Sequence, residues 1–119
     1  MFGTSRPFDD NNGRANLRND SGRRHHRISA VGRAFARLGD GREGSVLDMS
    51  IGGILLRLKT VLNLGSSYFV KLLLDGKVAV VEARVVRLVT RSDDYLAGME
   101  FIRLSQQDRR TLQKFVGRR

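Results

Sequence analysis

The chain has 119 residues, enough for one domain with a modest core, and carries a formal net charge of +10. Eighteen of its 22 cations are arginine, whose planar fork suits phosphates and guanine edges, so an anionic partner is expected. It contains no cysteine, which excludes disulfides and thiolate metal sites, and no window approaches the roughly 18 apolar residues of a membrane span.

Residues 1–22, "MFGTSRPFDDNNGRANLRNDSG", have only scattered apolar side chains and cannot bury enough surface to offset the entropy of ordering. They are expected to form a disordered arm, with the folded domain over 23–119. The opening lacks the apolar core of a secretory signal, and the chain reads as cytoplasmic. The segment "GRRHHR" follows, with Arg23, Arg24, His25, His26 and Arg27 in succession. A basic cluster of this kind is ordinarily a solvated face. Without a nearby cysteine or carboxylate, the two histidines make a poor metal site.

From Ile28 onward, short runs of Val, Leu and Ile alternate with Gly and Asp, an all-β pattern. Strands are predicted over 30–38, 44–49, 53–59, 67–74, 77–89 and 95–102. "GDG" at 39–41 and Asp75-Gly76 mark turns, the second suited to a type I′ hairpin. In the long fifth strand Ala79, Val81, Ala83 and Val85 alternate with Glu82 and Arg84, so one face is buried, and its length predicts a bend or bulge near Val85-Val86. "SQQDRRTLQKFVGRR" predicts a C-terminal helix capped by Ser105, closed by Gly117, with Leu112, Phe115 and Val116 packed on the sheet. Six strands in so short a chain imply a closed antiparallel β-barrel with the α-helix against it.

Enzyme signatures fail on inspection. Gly39-x-Gly41-x-x-Gly44 matches the dinucleotide fingerprint but lies between two strands, and Ser45 stands where a P-loop needs lysine. Ser50 lacks the glycine that a nucleophile elbow needs two residues earlier, because Asp48 is there. No catalytic residue and no metal ligand is assigned.

Two features remain. Arg23-x-x-x-Arg27 sits where the arm meets the barrel, and Asp48-x-Ser50-x-x-Gly53 lies in "VLDMSIGGILL". The second can be read simply as a turn, with Asp48 and Ser50 capping backbone N–H groups and Gly52-Gly53 permitting positive φ. In this order and spacing, however, the two stretches resemble the hallmarks of the PilZ family, and "YLAGMEF" resembles that family's late strand. The resemblance spans about residues 23–116. It implies a six-stranded PilZ-type barrel with a C-terminal helix and a receptor for the bacterial second messenger cyclic di-GMP, without catalytic activity. By the same resemblance Arg23 and Arg27 would grip guanine or phosphate, Arg24 would stack on a purine or neutralise phosphate, and Asp48 would accept from guanine N1–H and N2–H₂. Ser50 would donate to the ligand or brace the turn, while Gly53 would keep bulk away from the bound base, with Gly52 also among the ligand-binding residues. The output would be control of motility, exopolysaccharide synthesis or virulence through a protein partner the sequence does not identify, with the ligand ordering the arm. Gly22, just before the arginine motif, has no side chain from which to argue whether one or two ligand molecules bind. The rival reading is a basic barrel for single-stranded nucleic acid, disfavoured by aromatics that make up only 7% of the chain and are scattered.

Overall fold

In a computed structural model, residues 27–117 are described. They form strands β1 (Ile28–Ser29), β2 (Ala34–Leu38), β3 (Glu43–Ser50), β4 (Gly53–Leu58), β5 (Ser67–Leu74), β6 (Lys77–Thr90) and β7 (Tyr95–Leu104), followed by helix α1 (Gln106–Gly117). All pairings are antiparallel, in the order β1-β3-β2-β5-β6-β7-β4. A further β3–β4 ladder closes β2 to β7 into a six-stranded barrel, with β1 added to the edge of β3. Of the predicted strand over 30–38 only Ala34–Leu38 is strand, and a separate short strand, Ile28–Ser29, precedes it. Gly32 adopts φ 78° in a tight turn, so β1 and β2 run as two pieces along the same strand.

Alternation sets what fills the barrel. Ala79, Val81, Ala83 and Val85 of β6 are each at most 1% exposed, as the period-2 pattern requires, and they meet Val70, Leu72, Met99 and Ile54 in one core. The β5–β6 hairpin turns through Asp75 (φ 49°) and Gly76 (φ 85°), both left-handed, which matches the twist of the flanking strands. Gly44, the last glycine of the false dinucleotide fingerprint, sits within β3, where an added Cβ would lie 2.7 Å from the Arg57 carbonyl oxygen. Its role is close packing between strands.

The helix begins as its sequence predicts. Ser105 Oγ accepts from the Asp108 backbone N–H at 3.0 Å and donates to the Asp108 carboxylate at 2.9 Å. Leu112, Phe115 and Val116 are buried, each worth roughly 1.5–3 kcal/mol of transfer free energy. The Arg33 guanidinium lies 4.7 Å from the Phe115 ring centre and pairs with Asp75 at 2.8 Å, joining the β1–β2 turn, the helix and the β5–β6 hairpin. Gly117 is the last residue of α1, where the sequence closes the helix. No helix among the described residues is long and apolar enough to cross a membrane.

Candidate functional site

Strand β3 carries the second motif, and its register decides which way each side chain points. Met49 pairs with Ile54, Ile54 with Met99, and Met99 with Val85; all four are buried inside the barrel. Asp48 and Ser50, on either side of Met49, therefore belong to the outer face. A bulge between Val46 and Asp48 shifts the β3–β4 register just before the motif, and β1 pairs there, with Ser29 opposite Asp48.

That pairing brings the end of the first motif onto the second. Arg27, one residue before β1, donates from Nη2 to Asp48 Oδ1 at 2.9 Å, with both side chains about 70% withdrawn from water. Burial pushes the Asp48 carboxyl up from its ordinary value, while the charge and hydrogen bond of Arg27 pull it back. Burial likewise lowers the Arg27 guanidinium, with Asp48 opposing it. The result is a donor fork and a carboxylate held side by side and partly desolvated, which strengthens their action on a polar ligand.

Ser50 is 2% exposed, and its hydroxyl oxygen accepts from the Gly52 N–H at 3.1 Å. It braces the β3–β4 turn, the role the turn reading assigns it. Gly52 carbonyl accepts from the Phe101 N–H at 2.9 Å, locking the turn to β7. Among the described residues the glycines with positive φ are Gly32, Gly41, Gly65 and Gly76, so the expectation that Gly52-Gly53 exploit left-handed backbone is corrected. Gly53 is the register partner of Ser50 across the β3–β4 turn.

Arg27, Asp48, Ser50, Gly52 and Gly53 are thus brought together on one outer face. Arg23 and Arg24, with His25 and His26, lie outside the described residues, as does the arm expected over 1–22. A groove of about 520 Å³ lined by Phe35, Leu73, Val78 and Lys71 lies elsewhere on the outer face and contains none of the motif residues. Among the described residues, no three His, Asp or Glu side chains are grouped to hold a metal.

A small closed antiparallel barrel with a C-terminal helix places this polar constellation on its outer wall, beside the strand that begins the fold. The PilZ domain family matches over residues 21–118, and the chain belongs to that family. Among solved structures it is similar to Escherichia coli YcgR in complex with c-di-GMP (TM-score 0.64, 24% identity, 78% of this chain and 43% of that one). It is also similar to the PilZ domain of YcgR with c-di-GMP (TM-score 0.65, 21% identity, 78% and 87%). A third is the Bacillus subtilis inhibitor of motility MotI (TM-score 0.66, 20% identity, 87% and 51%). The chain spans about half or less of full YcgR and MotI. The comparison with curated proteins gives no match.

Proposed function

We propose that this chain is a non-catalytic receptor for cyclic di-GMP that binds the dinucleotide on the outer barrel face. The observation that carries the reading is the Arg27–Asp48 pair at 2.9 Å, which joins two motifs 21 residues apart in sequence. The arginine fork suits guanine O6 and N7 or a phosphodiester, and the carboxylate suits guanine N1–H and N2–H₂. Membership of the PilZ family and similarity to a YcgR complex with c-di-GMP support it.

In this reading Arg23, Arg24 and Arg27 grip the ligand from the segment entering β1. Asp48 selects guanine, Ser50 holds the turn, and Gly52 and Gly53 leave room for the base. The 1–22 arm and the 23–119 domain divide the work: the domain holds the ligand, and ordering of the arm remakes a surface for a protein partner in the cytoplasm. Through that partner the ligand would regulate motility, exopolysaccharide synthesis or virulence.

The test is titration calorimetry with cyclic di-GMP, cyclic di-AMP and a mixed-sequence oligonucleotide at physiological salt. Adenine presents N6–H₂ where guanine presents O6 and gives Asp48 no N1–H. Each mispairing costs roughly 1–3 kcal/mol, so discrimination of at least about a hundredfold is expected. Equal affinity for the two cyclic dinucleotides, or an oligonucleotide that outcompetes both, refutes the reading.

A further inference from the structure

The outer face that holds Asp48 and Ser50 continues across three more strands. From Ser50 the register runs to Gly53 on β4, Glu100 on β7 and Arg84 on β6; from Asp48 it runs to Leu55, Gly98 and Arg87. Partners in a ladder share a face, so both rows lie on the outer wall. Along these rows Gly53 and Gly98 are buried and carry no side chain, and Leu55 and Glu100 stand between Arg27–Asp48 on one side and Arg84 and Arg87 on the other. Three strand spacings separate β3 from β6, about 14 Å in all.

The long strand β6 is built to place Arg87 there. Its register against β7 slips between Val85 and Arg87, so Val86 and Arg87 are both exposed in succession, and Arg87, rather than Val86, faces Gly98. Bulges re-aim side chains in this way beside binding sites. On the same strand Arg84 is held by Glu100 at 3.2 Å, and Arg91, just past its end, by Asp94 at 2.6 Å. Arg87 has no carboxylate partner among the described residues. An unmatched guanidinium at the far end of these rows suits an anion arriving with the ligand.

We propose that Arg87, with the Arg84–Glu100 pair beside it, forms the far wall of the binding surface and neutralises the phosphodiester of cyclic di-GMP more distant from Arg27. The inference rests on the receptor reading above and extends it to residues outside both motifs. Calorimetry on the full chain compares wild type with Arg87→Ala, Arg87→Lys and Lys71→Ala, the last removing a cation from the outer side of β5, outside these rows. Arg87→Ala weakens cyclic di-GMP binding about tenfold or more, Arg87→Lys recovers most of it because a phosphate needs charge more than a fork, and Lys71→Ala stays within about twofold. If Arg87→Ala melts early, Arg87→Gln, which keeps the aliphatic stem, replaces it. Binding within about twofold of wild type in Arg87→Ala, equal losses in Lys71→Ala, or no recovery in Arg87→Lys overturns the assignment while leaving the receptor reading intact. A wild-type chain that does not bind cyclic di-GMP overturns the receptor reading and this one with it.

Discussion

Replacing Arg27 by alanine removes one partner of a 2.9 Å ion pair whose side chains are 29% and 28% exposed. Such a pair lies between surface bridges and fully buried ones, so its loss should cost the free protein about 1–2 kcal/mol. For a domain of this size the melting midpoint falls by about 4–8 °C per kcal/mol. Cyclic di-GMP affinity should fall further, by one to two decades, because a charge-assisted contact is worth roughly 1.5–3 kcal/mol. The pH dependence separates this account from a generic loss of charge. Burial raises the Asp48 carboxyl, and the two opposing influences both come from Arg27, so in Arg27→Ala Asp48 keeps its proton to higher pH than in wild type. A carboxyl with a raised folded-state pKa binds more protons in the native state than in the unfolded one. Its contribution to stability is therefore greatest at low pH and is lost as pH climbs from about 3.9, the unfolded value, through the raised folded value. That window reaches further upward in the mutant. Ligand affinity runs the other way: it needs ionised Asp48 and falls as pH drops through the same raised value. Carbon-13 NMR titration of the Asp48 carboxyl, with calorimetry across the same pH range, reads both effects. An Asp48 that titrates at or below an ordinary carboxyl in Arg27→Ala, or an unchanged affinity at neutral pH, refutes the reasoning.

The other predictions concern the scaffold that positions this pair. Leu112→Ala, at a fully buried position of α1, should lower stability by about 2–5 kcal/mol in urea unfolding; a loss under 1 kcal/mol would mean the helix does not anchor the barrel. Gly44→Ala sets a Cβ against the Arg57 carbonyl, a backbone atom that cannot swing aside, and should cost about 1–3 kcal/mol in the same assay. Gly76→Val forces a branched side chain to φ 85° in the β5–β6 hairpin and should cost about 1–2 kcal/mol, with ligand affinity unchanged once folded.

Local patterns in the sequence were enough for most of what depends on neighbours along the chain, the break at Gly32 and the backbone at Gly52-Gly53 excepted. Alternation in 77–89 identified the inward side chains, Asp75-Gly76 the hairpin, Ser105 with Asp108 the helix cap, and the apolar triad of α1 its buried face, because periods of 2 and 3.6 residues are short-range facts. The two motifs were visible as residue types at a spacing, and the bulge near Val85-Val86 as an overlong strand. What they do to one another was not. Arg27 meets Asp48 only because β1 breaks from β2 at Gly32 and lies along β3 beyond its bulge. A single glycine in an apolar run does not reveal that. Arg87 comes to face Gly98, and through it Leu55 and Asp48, only because barrel closure and a one-residue slip set the register of strands far apart in sequence. A shift of one residue turns every side chain to the opposite face, and that choice is made by the packing of all six strands around one core, where no stretch of sequence by itself can make it.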